Sequence, residues 1–136
     1  MSGEKDLEIL LRSMCPKLSE CQFVFCNITP DKLSTLKMEP LFAFREEEGV
    51  TIIIEKLQAD IESLDYDGVW SWITLTVHSS LSAVGFLAVI TAKLSENHIS
   101  VNVVSACFHD HLFVPQEKAG LAMQVLDDLQ NVDDSD

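Results

Sequence analysis

The stretch Trp72-Ile-Thr-Leu-Thr-Val-His-Ser-Ser-Leu-Ser-Ala-Val-Gly-Phe86, with Ile99-Ser-Val-Asn-Val-Val-Ser-Ala-Cys-Phe-His-Asp-His-Leu-Phe-Val114 after it, constrains the fold more than any other part of the chain. The first part reads as a strand running into a polar loop and a glycine that opens a helix, and the second as a hairpin. The helix is expected over about 84–97, capped by Ser80 or Ser82, with Val84, Leu87, Ala88, Thr91 and Leu94 on one face. Phe86, Val89, Ile90 and Ala92 point in other directions, so this helix should be buried on more than one side. Pro115 suits the start of a last helix, in which Ala119, Ala122, Leu126 and Leu129 form a sheet-facing stripe.

The first half repeats this order. Phe23-Val-Phe-Cys26 is a short strand, and Leu41–Glu46 and Val50–Ile54 flank the Glu47-Glu48-Gly49 turn as a hairpin. Leu57, Ile61 and Leu64 then share a helical face. Strand, connection, hairpin and helix thus occur twice, which points to an internal duplication. The connection in the second half holds a full helix, whereas residues 28–40 in the first are too short and too proline-bounded for one. Strand, helix, hairpin, helix is most of a ferredoxin-like βαββαβ unit, an antiparallel sheet with both helices on one face. Six strands are visible for the eight that two full units need. Either strands are shared between units or copies of the chain complete one another. A leading helix over about 4–14, with Leu7, Leu10, Leu11 and Met14 in one stripe, precedes the first unit and stops before Pro16.

With 136 residues the chain is long enough to bury roughly 65–70% of its unfolded surface, so it needs neither disulfide nor metal to fold. Nine Lys and Arg against 22 Asp and Glu give a net charge of −13, which repels phosphate backbones and anionic membranes. Neither nucleic acid nor a membrane is expected as a partner. The four cysteines form no Cys-x-x-Cys pair, and the start of the chain has neither a basic n-region nor an apolar h-region. A cytoplasmic protein with reduced thiols is expected.

Several blocks in fixed order carry a resemblance: Met14-Cys-Pro-Lys-Leu18, Phe23-Val-Phe25, Phe44-Arg-Glu-Glu-Glu-Gly49, Ile73-Thr-Leu-Thr-Val-His-Ser-Ser-Leu81, Ala83-Val-Gly85 and His109-Asp-His-Leu-Phe-Val114. Over nearly its whole length the chain resembles the tandem ACT-domain proteins, in particular small bacterial members of about this length. The resemblance implies an α+β fold of duplicated, ferredoxin-like ACT units, the first with a reduced first helix. It also implies regulatory binding of a small molecule, most often an amino acid, at an interface between ACT-like units. In that family an acidic residue often precedes the helix-opening glycine; here Gly85 matches and serine stands in the acidic position. The units are expected at 1–67, with the leading helix, and at 68–130, joined through the polar Asp65-Tyr-Asp-Gly68. An acidic, disordered tail is expected over 131–136, because carboxylates at a helix C-terminus oppose its dipole.

Ser79, Ser80, Val84 and Gly85 are expected to bind the ligand, because unpaired amides and a positive dipole end gather where a helix begins. The alternative is that the serines only cap the helix and Gly85 only packs closely. Asn102 and Ser105 are three apart in a strand and face opposite ways; Asn102, just after the helix-to-strand turn, is the one expected at the site. In His109-Asp-His111, Asp110 can accept from a ligand ammonium group, while the histidines read as a solvated turn. No second ligand pair has metal spacing, so neither a metal nor a cofactor is expected. With no nucleophile, phosphate loop or carboxylate pair, no catalytic residue is expected either. The reading is therefore a non-catalytic, amino-acid-binding regulatory protein that forms a homo-oligomer. The alternatives are a ligand-free interaction module and, below it, a histidine-dependent enzyme.

Overall fold

The computed structural model describes residues 3–132. The order is α1 (Leu7–Ser13), β1 (Pro16–Ile28), α2 (Pro30–Thr35), β2 (Phe42–Glu46), β3 (Gly49–Glu55), α3 (Lys56–Ile61), β4 (Trp70–Leu75), α4 (Phe86–Glu96), β5 (Asn102–Ser105), β6 (Asp110–Pro115) and α5 (Ala119–Gln130), the last entered through a 3-10 turn at Gln116–Lys118. This is the duplicated ferredoxin-like order, with a first helix of only six residues in the first copy. Most of the expected tail, residues 133–136, lies outside the described residues.

The chain divides into two compact units, Glu20–Trp70 and a second made of Met1–Ser19 with Ser71–Asp136. In the Glu20–Trp70 unit β3 lies between its neighbours, pairing antiparallel with β1 from Phe23↔Glu55 to Ile28↔Val50 and with β2 from Phe42↔Ile53 to Glu46↔Gly49. Alternation along β1 and β3 puts Val24, Cys26, Ile28, Val50, Ile52 and Ile54 on one face, where Ala59 of α3 and Leu33 of α2 cover them. Of the expected stripe, Leu64 packs on this core just past the helix, while Leu57 and Ile61 face the other way. Leu57 and Ile61 are exposed and Gln58 and Ala59 are buried, because a helix of six residues docks through the one small side chain that lets it approach the sheet.

In the second unit the strands run β4, β6, β5, and β6 pairs antiparallel with β5 from Asn102↔Phe113 to Ser105↔Asp110. Ile73, Leu75, Leu112 and Val114 meet Phe86, Ile90 and Leu94 of α4 and Ala122, Val125 and Leu126 of α5. The leading helix, expected with the N-terminal unit, packs here instead. α1 lies against α4 and α5, and Leu10 and Met14 are fully buried in this core. Backbone bonds fix the same partnership: Thr76 N–H donates to the Met14 carbonyl at 2.8 Å, and Thr76 Oγ1 to the Cys15 carbonyl at 2.9 Å. Asp6 caps α1 through the Ile9 amide at 3.1 Å. Residues 14–19, ahead of the part of β1 that pairs with β3, thus belong with Ser71–Asp136.

Leu10→Ala should destabilise the Ser71–Asp136 unit by about 3 kcal/mol, the usual loss for a leucine removed from a closed core. A lowered urea midpoint, with faster amide exchange in α4 and α5, would verify that α1 belongs to this core.

Candidate functional site

After β4 the chain crosses from Thr76 to Gly85 before α4 begins. Gly85 has φ of +90°, a left-handed conformation that glycine adopts without strain, and it replaces the expected serine as the residue at the helix entrance. Neither Ser80 nor Ser82 caps α4. The Ser80 hydroxyl accepts from the Ser82 amide at 3.1 Å, and its carbonyl accepts from the Ala83 amide at 3.0 Å, which closes a turn ahead of the helix. The first amides of the 11-residue α4 therefore carry no side-chain cap.

Ser79 is buried, and its Oγ donates to Oδ2 of Asp110 at 2.7 Å. Asp110 opens β6 on the face that α4 and α5 cover and is only 5% exposed. That bond is the one side-chain hydrogen bond it makes among the described residues. Asp110 lines a cavity of about 120 Å³ together with Ser80, Ala83, Gly85, Phe86 and Ser105. A carboxylate acceptor and the donor end of a helix thus open onto one small space, whose other walls are mostly apolar.

Of the expected ligand residues, Ser79, Ser80, Gly85 and Asp110 come together here. Val84 does not, since its side chain is 84% exposed. Asn102 does not either. The Ser105↔Asp110 register puts Ser105 on the cavity face, and alternation turns Asn102 to the opposite face of the sheet. The signal was in the hairpin: a tight turn closed by the Ala106 amide on the His109 carbonyl makes Ser105 the partner of Asp110. Every residue lining the cavity falls within Ser71–Asp136.

The histidines lie apart from it. His111 points to the opposite sheet face, where the Trp72 indole N–H donates to its Nδ1 at 3.0 Å and Thr74 Oγ1 lies 3.2 Å away. An Nδ1 that accepts carries no proton, so the ring is held as the neutral Nε2–H tautomer. Burial, and then the nearby charge of His109, hold the His111 pKa below the ordinary histidine value, against the opposing pull of Asp110. Among the described residues no three His, Cys, Asp or Glu side chains converge as metal ligands.

Ser79→Ala leaves Asp110 Oδ2 buried without its donor and should cost about 1–3 kcal/mol in chemical unfolding. For His111 the unfolded chain takes up a proton at a higher pH than the folded one. Stability should be intact above the ordinary histidine value of about 6.5 and fall as pH drops from there through the lowered folded pKa. Urea midpoints measured across this window should lose part of their slope in His111→Gln.

Two family models, each described as an ACT domain, match the chain in tandem over residues 2–71 and 70–128. Among solved structures, a protein of unknown function from Vibrio cholerae, described as a possible transport protein, is 41% identical. The match covers 93% of this chain and 98% of that one, with a TM-score of 0.82. Aspartokinase alpha and beta subunits match at 14% identity, over 86% of this chain and 97% of that one, with a TM-score of 0.67. The regulatory subunit of aspartate kinase from Thermus thermophilus matches at 6% identity, over 84% and 95%, with a TM-score of 0.58. At such identities the last two show the fold alone. None of the curated proteins compared matches the chain. The chain belongs to the ACT-domain family and carries two ACT domains in tandem.

Proposed function

We propose that the protein is a non-catalytic regulator that binds a small amino acid in the cavity between the Ser79–Gly85 loop and Asp110. The observation that carries this reading is Asp110 itself, a buried carboxylate with one oxygen held by Ser79 and the cavity beside it. Its free acceptor capacity matches an ammonium group. The uncapped amides of α4, with the positive end of the helix dipole, match a carboxylate. A zwitterion satisfies both at once, which neither a plain amine nor a plain acid does. The space of about 120 Å³ favours a short side chain.

ACT domains are regulatory rather than catalytic and commonly act as oligomers, and the family membership supports both parts of this reading. The ligand would act by its differential affinity for two arrangements of the loop or of an oligomer. No helix among the described residues is long and apolar enough to cross a membrane.

Thermal unfolding with the proteinogenic amino acids, starting from glycine, L-alanine and L-serine, tests this. One or more should stabilise the protein saturably, by about 2.7 kcal/mol at roughly a hundred times Kd, and Asp110→Asn should abolish the effect. A flat response across the panel at millimolar concentration would sink the reading and leave a ligand-free interaction module.

A further inference from the structure

The loop is also held from outside, by the first of the described residues. Residues 3–6 lie across it as a strap: the Glu4 amide donates to the His78 carbonyl at 2.8 Å, and the Ser80 amide donates to the Glu4 carbonyl at 2.9 Å. Together they form a single parallel rung with Ser79 between the two bonded residues. Backbone is therefore fixed on both sides of Ser79, the residue whose hydroxyl reaches Asp110.

Gly3 allows this approach. A Cβ there would stand 2.6 Å from the Ser79 carbonyl carbon, 2.7 Å from the Ser80 nitrogen and 2.8 Å from the His78 oxygen, all backbone atoms that cannot swing aside. The far end of the strap is anchored as well. Glu4 Oε1 accepts from the Lys5 and Asp6 amides at 3.0 Å each, and Asp6 caps α1, which Leu10 holds in the core. Leu7 of the same helix is the nearest neighbour a Cβ on Gly85 would meet, at 3.7 Å.

We infer that Gly3 and Glu4 are positioning residues for the ligand loop, holding the Ser79 hydroxyl on Asp110 and so presetting the affinity of the cavity. The affinity part rests on the amino-acid reading above; the positioning part does not. Gly3→Ala in the full chain tests both. Hydrogen exchange on the unliganded protein should show the Ser80 amide exchanging about tenfold faster, the order expected for losing a backbone bond pair, with the β6 amides unchanged. In unfolding measurements Gly3→Ala and Ser79→Ala together should cost less than the sum of the two, because both remove the same Ser79–Asp110 bond. The affinity for glycine, L-alanine or L-serine, whichever stabilises the parent most, should weaken about tenfold. Unchanged Ser80 exchange, or strict additivity with Ser79→Ala, would overturn the inference; so would parental affinity in a variant whose loop has loosened. If no proteinogenic amino acid stabilises the parent, the amino-acid reading falls, and exchange and additivity alone decide whether the strap positions Ser79.

Discussion

A carboxylate placed on the covered face of a sheet governs much of what surrounds it. Asp110 stands at the head of β6 where Leu112 and Val114 continue into the core. Withdrawing a carboxylate from water costs several kcal/mol even after the protein relaxes, and one hydrogen bond to a charged group returns about 1.5–3 kcal/mol. The Ser79 bond therefore offsets only part of the penalty, and an aliphatic residue would serve stability better at this position. The loop after β4, the left-handed entrance at Gly85 and the crossing of residues 3–6 all fit around that one expensive group.

The two copies treat the equivalent place differently. The third strand of the first copy begins with Gly49, and a Cβ on it would meet the Asn27 side chain at 2.8 Å and the Ile28 carbonyl at 2.9 Å. At the head of this strand backbone and an amide side chain leave no room for a side chain, whereas β6 begins with Asp110. With α2 reduced to six residues, the first copy also has a much weaker helix dipole to offer.

Much of this was legible in the chain because the signals are local. Alternating β-branched and aromatic residues, the turn at Gly49, and the long apolar stripe of α5 depend only on neighbours within a few positions. Ser79, Ser80, Gly85 and Asp110 stand out in the sequence because polar residues and a glycine at a strand-to-helix passage and a hairpin head interrupt the apolar runs around them, and the fold brings them together. What failed needed partners distant in sequence. Placing Ser105 rather than Asn102 on the cavity face required the register of a hairpin, and the exposure of Leu57 and Ile61 required knowing which side of a very short helix meets the sheet. The stripe of Leu10 and Met14 announced a helix but not the partners that bury it, which lie more than 60 residues further on.

That last partnership makes the two domains inseparable by a single cut. A break near Gly68, where composition and family match alike divide the chain, would strip the C-terminal piece of two buried core side chains and of the segment bonded to Thr76. On the ribosome, α1 emerges ahead of β4, α4 and α5 and must wait for them before its apolar face has anything to cover it. The order in which the chain is synthesised is not the order in which it can close.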